Sequence, residues 1–345
     1  MVVVPPETVE GTVNRVFVGS TRGLESPGVF GGGRSEEMRF ARYDVAVPPD
    51  REPGQIKYAR PRSANVTTDF LTTGQRIYAA EADFRADLRE ELAQNGREAI
   101  IFVHGFNTTF TEGLYRIAQL RHDLEVPGVA LHYSWPSAAE PLGYVYDRDS
   151  VIFARAGLEA LIREAIAAGA TRVTLVAHSM GSFLTMEVLR SVALRDGGMM
   201  PQLRGVVLIS PDIDVEVFRS QAQDIGALPQ PFLIFGSDRD RVLRLSALIT
   251  GQRGRLGSME NVDQIADLDV TYLDVGAFSQ GSGHFVPGTS PGLIRLLGRI
   301  SDVDTAFGND AAGRPGLLPG VILTARSATR IILQPVAEIT GDALN

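Results

Sequence analysis

Residues 173–189 read VTLVAHSMGSFLTMEVL, and the pattern changes halfway through. VTLVA is a β-branched apolar run of strand type, whereas GSFLTMEVL repeats its apolar residues at helical spacing. His178, Ser179 and Gly181 fall at the junction. A strand turning this sharply into a helix strains the backbone at the serine, so its neighbours must be small. Gly181 meets that need, and Ala177 stands where a G-x-S-x-G pattern has its first glycine. This is the layout of a nucleophile elbow, which lifts a hydroxyl above the C-terminal edge of a sheet at a helix N-terminus. Free N–H groups and the helix dipole there favour developing negative charge. A plain helix-capping serine would use the same letters, so the rest of the chain has to decide.

The surroundings favour a parallel sheet. From Glu81 onward, strand-like and helix-like runs alternate: DFRADLREELAQNG (helix, capped by Gly96), AIIFV (strand), TEGLYRIAQLRHDL (helix), GVALHYSW (strand) and one long helix DSVIFARAGLEALIREAIAAG. After the elbow come GVVLIS, DVEVFRSQAQDIG, PFLIFGS, RVLRLSALITG, DVTYLDV and a final helix SPGLIRLLGRI. Short buried strands alternating with helices predict a mostly parallel sheet covered on both faces. Ahead of this lie two strand-like runs, TVNRVFVGSTR and MRFARYDVAVPP, joined by the Gly-rich SPGVFGGGRSEE, which reads as an exposed, mobile loop.

Composition excludes several function classes. A net charge of −8 argues against a nucleic-acid footprint, which needs clustered positive charge, and against electrostatic attachment to anionic lipid. With no cysteine, thiolate nucleophiles, disulfides and cysteine metal sites are all absent, and the redox compartment is left open. No apolar run approaches a membrane span. The start MVVVPPETVEGTVN lacks a basic n-region and an h-region. The compartment is therefore cytoplasmic by default, with an exported mature form as the alternative.

An acyl-transfer reading of Ser179 needs a base, an acid and two oxyanion donors. The one histidine downstream of Ser179 is His284, in the Gly- and Ser-rich SQGSGHFVP. His178 reads as structural, because adjacent residues on a tight turn point in different directions. Carboxylates follow two strands: Asp238 and Asp240 after PFLIFGS, Asp212 and Asp214 after GVVLIS. Chain order Ser, Asp, His favours the first pair, with Asp240 as first choice, although an Asp at a helix start also serves as a cap. AIIFVHGFNTTF ends a second strand with His104-Gly105. Gly105 would let the backbone approach, so the donors expected are Met180 N–H and Phe106 N–H, with His104 organising the loop.

Several stretches together resemble the α/β-hydrolase superfamily and, within it, the bacterial DUF900 group of predicted esterases and lipases. They are FVGSTRG, IFVHGFNTTFTEGLYRIAQL, LHYSWPS, YVYDRDSVIFARAGLEALI, VAHSMGSFLTMEVLR, ISPDIDVEVF and DRVLRLSALITGQRGRLG, spread between about Arg15 and His284. The resemblance implies an α/β-hydrolase fold with an N-terminal strand-rich extension, and Ser179 as nucleophile, Asp240 as acid and His284 as base. It also implies that YSWPS borders the site, with Trp135 contacting substrate beside Gly105 and Asn107 of the loop, and it accommodates an aromatic, Phe285, behind the histidine. The organisation expected is a linker-like 1–11, one domain over 12–310 (N-terminal strands in 12–60, catalytic core in 81–300) and a tail 311–345. The tail is apolar enough to dock on the domain or to join copies of the chain into a homo-oligomer.

The reaction expected is hydrolysis of a small-molecule or lipid-like carboxylic ester with a short to medium acyl chain, through an acyl-enzyme and with no metal or organic cofactor. Leu142, Tyr144 and Phe106 are the apolar residues expected along the acyl chain. An amidase, thioesterase or acyltransferase would use the same triad, and a non-catalytic binding scaffold is the remaining alternative.

Overall fold

The computed structural model describes residues 1–251, 254–260, 262–279, 283–298, 320–325 and 328–334. Its strands are β1 (Thr12–Ser26), β2 (Val29–Val47), β3 (Leu71–Ile77), β4 (Glu98–Val103), β5 (Val129–Ser134), β6 (Arg172–His178), β7 (Leu203–Ile209), β8 (Phe232–Gly236), β9 (Thr271–Asp274), β10 (Gly320–Ala325) and β11 (Ala328–Leu333). Among the described residues they form one sheet in the order β10-β11-β9-β8-β7-β6-β4-β5-β1-β2-β3. The run from β11 to β1 is parallel throughout, and antiparallel partners lie only at the two ends, β10 on one and β2-β3 on the other.

Alternation along the strands sorts side chains to two faces. Ile101 and Val103 of β4 join a core with Phe84 and Leu88 of α1 (Glu81–Gln94), Leu158 and Leu161 of α4 (Arg155–Ala167) and Leu184 and Val188 of α5 (Met180–Asp196). Ile100 and Phe102 point the other way, onto Leu114 and Ile117 of α2 (Phe110–Asp123). Toward β9 that second face is covered by α9 (Pro291–Gly298), through Leu293. The two-sided α/β architecture expected from the alternation is the one observed.

Two local readings need correction. The Gly-rich stretch is strand, not loop: β1 and β2 continue through it to a tight turn, pairing Leu24 with Phe30 and Ser26 with Val29 across register shifts. Phe30 pins it by stacking on Phe110 (centroids 4.6 Å apart, planes at 15°). Gly32 lets the chain pass residues 137–138, since a Cβ there would lie 3.1 Å from Ser137 O. The long helix after β5 is likewise two helices, α3 (Tyr144–Phe153) and α4, meeting at Ala154. Tyr133 of β5 packs against this junction: its hydroxyl donates to Ala154 O (2.6 Å) and lies 3.0 Å from Thr21 Oγ1. The C-terminal strands sit beside β9, with Ile331 and Leu333 buried. The expected boundary at residue 310 lies outside the described residues.

Gly157, in the first turn of α4, fits this junction only for want of a side chain: a Cβ would run into Tyr133 Oη and come within 2.6 Å of Thr21 Cγ2. Gly157→Ala is expected to lower stability by about 1–3 kcal/mol, despite alanine's better helix propensity. Urea unfolding of the two proteins measures it.

Candidate active site

The candidate residues lie at the C-terminal ends of β4, β6 and β8 and after β9, at the edge of the parallel sheet that is the usual place for a ligand in such a fold. Ser179 links β6 to α5 with φ 51° and ψ −120°, a conformation that costs on the order of 1–3 kcal/mol and must be held from outside. The holding bonds run in both directions. Ser179 N–H donates to Ile209 O (2.9 Å), while Ser179 O accepts from Ser182 N (3.0 Å) and Asp212 N (3.2 Å). Gly181 is required by packing, because a Cβ there would collide with His104 O and lie 2.7 Å from Val103 O. Gly105 answers from the opposite side: its Cβ would lie 2.7 Å from His178 Nδ1 and 2.9 Å from Ser179 Cβ.

The structure brings His284 and Asp240 together. His284 Nδ1 lies 2.8 Å from Asp240 Oδ2, with the imidazole largely enclosed and the carboxylate fully buried. The other oxygen, Oδ1, accepts from Val242 N and Leu243 N (3.0 Å each), so Asp240 also caps α7 (Arg241–Thr250). The His284 ring packs against that of His178, next to the elbow (centroids 4.7 Å apart). Among the described residues no hydrogen bond joins the Ser179 hydroxyl to His284. Phe285 rests edge-on against His178 (4.4 Å), and the Arg116 guanidinium lies 5.0 Å from its centroid while donating to Gly288 O (3.0 Å). These contacts tie the histidine segment down to α2.

The other carboxylates have different partners. Asp238 is exposed, and Asp214 caps α6 (Val215–Ile225). Asp212 is buried with Arg255 (3.1 Å), and it accepts from Ser246 Oγ (2.6 Å) and Tyr144 Oη (2.9 Å). Nothing in the strand pattern signalled this group, because Tyr144, Ser246 and Arg255 come from α3, α7 and a loop.

Met180 N–H opens α5 and so has no acceptor within the helix. Phe106 N–H likewise has no acceptor among the described residues. Asn107 is exposed with φ 53°, and its N–H donates to buried Asp147 Oδ2 (3.2 Å). Asp147 also accepts from Ser137 Oγ and Ala138 N, yet burial still pushes its carboxyl up. Phe106 meets Tyr144 edge-on (5.4 Å), while Leu142 stands 98% exposed. Trp135 takes a different place from the one the resemblance implies. It is wholly buried and stacked on His104 (4.7 Å, 12°), and its indole N–H donates to His104 O (2.7 Å), so it braces the loop from beneath.

No group of His, Asp and Glu side chains among the described residues could hold a metal ion. No described helix is long and apolar enough to cross a membrane.

Residues 80–283 match the family model described as alpha/beta hydrolase of unknown function (DUF900). The chain belongs to this family. The match leaves FVGSTRG, in β1, outside it. Solved structures similar to this DUF900 chain include carboxyl esterase 2 from the fungus Tuber melanosporum (12% identity, 86% of this chain and 88% of that one, TM-score 0.39). Others are a predicted CIB-like hydrolase from Thermoplasma acidophilum (18%, 59% and 86%, TM-score 0.33) and a thermostable esterase from Pseudomonas putida (13%, 76% and 77%, TM-score 0.34). Among curated proteins nothing matches.

Three histidines of this chain are sealed in uncharged. Burial holds His104 and His178 well below the ordinary imidazole value and brings His132, at the β5 end, down to about 3. Unfolding frees all three to bind protons at their ordinary value near 6.5. Their contribution to stability is therefore complete above that pH and is lost as pH falls below about 6.5, a loss that for His132 continues to about 3. Urea midpoints measured between pH 7 and 4.5 should fall steadily. His132→Asn should flatten that fall.

Proposed function

We propose that the chain is a serine hydrolase that cleaves carboxylic esters of short to medium acyl chain. The observation that carries this reading is the 2.8 Å contact of His284 Nδ1 with Asp240 Oδ2, at the mouth of a strained serine elbow. In the reaction His284 Nε2 takes the Ser179 proton as Oγ attacks the ester carbonyl carbon, and Asp240 holds the imidazole in the Nδ1–H form and steadies its positive charge. Met180 N–H and Phe106 N–H receive the oxyanion. Collapse of the tetrahedral species breaks the bond to the alcohol oxygen, which leaves with the proton from His284. Water then gives a proton to the same nitrogen and attacks the acyl carbon; collapse breaks the bond to Oγ, which takes that proton back from His284, and the carboxylic acid leaves. A hydrogen bond between serine and histidine that is open without substrate commonly closes in the substrate complex.

The capping geometry separates catalysis from stability at Asp240. In Asp240→Asn the side-chain oxygen can still accept from Val242 N and Leu243 N, because asparagine caps as well as aspartate. The amide then faces His284 Nδ1 as a donor and forces the other tautomer. The expected result is kcat down by roughly 10,000-fold with the melting temperature nearly unchanged. A p-nitrophenyl ester series of increasing acyl length tests the whole reading. Ser179→Ala should lose at least roughly 1000-fold on every ester that the wild type cleaves, and undiminished turnover would reject the mechanism.

A further inference from the structure

Arg22 is 1% exposed and lies in β1, outside the family-matched residues. Its guanidinium donates to Ser134 Oγ (2.8 Å), Gly31 O (2.9 Å), Ser137 O (3.0 Å) and Thr108 O (2.7 Å), and its Nη2 lies 3.3 Å from His104 Nε2. Among the described residues no carboxylate pairs with it, and burial brings it down to about 10 against the opposing pull of Asp147. A cation so enclosed, aimed at a histidine in the loop beside Ser179, calls for an explanation beyond packing.

The His104 ring faces two carbonyls. Nδ1 lies 2.9 Å from Gly105 O and Nε2 lies 3.0 Å from Trp135 O. Burial and the nearby Arg22 charge keep the ring neutral, so it has one proton and both carbonyls compete for it. Arg22 decides between them. A guanidinium can only donate, so a bond from Nη2 to Nε2 makes Nε2 the acceptor at the expense of its approach to Trp135 O, and puts the proton on Nδ1, donating to Gly105 O.

That carbonyl is one end of the Gly105–Phe106 peptide, and Phe106 N–H is the other end. In a trans peptide the two point in opposite directions, so fixing the carbonyl fixes the N–H. We infer that Arg22 is a positioning residue: by setting the tautomer of His104 it orients the peptide whose N–H receives the oxyanion. This rests on the hydrolase reading for its consequence in turnover, but the tautomer itself can be observed without any substrate.

The test is proton-detected nitrogen-15 spectroscopy of the intact protein with its five histidines labelled, His104 being assigned by its loss in His104→Gln. The wild type should show the His104 proton on Nδ1. In Arg22→Met it should move to Nε2, toward Trp135 O, while kcat falls about 10- to 100-fold and KM stays within about threefold. Deleting an oxyanion donor outright costs roughly 100- to 1000-fold, and a misaimed one should cost less. Arg22→Lys can still donate to Nε2, so it should retain the wild-type tautomer and recover most of kcat. A wild-type proton on Nε2 overturns the proposal, and so does a kcat loss in Arg22→Met with the Nδ1 proton in place. If Arg22→Met does not fold, the wild-type spectrum alone decides. If no ester is turned over, the hydrolase reading falls while the tautomer result still stands.

Discussion

Two glycines set how closely the ends of β4 and β6 can approach, and the site is built on that approach. A Cβ at Gly181 would strike the carbonyls of Val103 and His104, and one at Gly105 would press on His178 and Ser179. Because neither exists, the loop after β4 lies directly against the elbow. The positive φ of Ser179 is then trapped between that loop on one side and the hydrogen bonds to Ile209, Ser182 and Asp212 on the other. Strain on this scale persists only where the surroundings over-determine it.

Around this contact the protein buries a set of polar and charged groups. Arg22, Arg255, His104, His132, Asp147, Asp212 and Asp240 are all nearly or wholly inaccessible. Burial without partners would be prohibitive for each. Their bonds instead link elements far apart in the chain: Arg22 joins β1 to the loops after β4 and β5, Asp212 joins the β7 end to α3 and α7, and Asp240 joins α7 to the histidine segment. A low-dielectric setting of this kind strengthens whatever electrostatic contact a substrate would make there.

Much of this was legible in the sequence. Strand and helix periods gave the parallel sheet, and the change of period at residues 173–189 located the elbow, because both depend on local spacing. His284 and Asp240 could be paired because chain order in this kind of fold restricts the choices. Trp135, by contrast, which the resemblance makes a substrate contact, is buried as a brace, since burial is a tertiary property. The break at Ala154 was equally hidden: each half of the segment is helical by period, and the hydroxyl bonded at the junction belongs to another strand. The glycines at 31–33 suggested a loop because turn residues often do so, but here they lie in a strand, and Gly32 lets it pass close to residues 137–138.

The position of β1 has one more consequence. It lies inside the sheet, between β5 and β2, with Val16, Phe17 and Val18 packed within. The family match over residues 80–283 therefore marks where sequences look alike, which differs from where the molecule could be cut. A fragment trimmed to those limits would leave the outer side of β5 as a raw, sticky border inviting self-association. Expression boundaries for this protein belong upstream of Thr12.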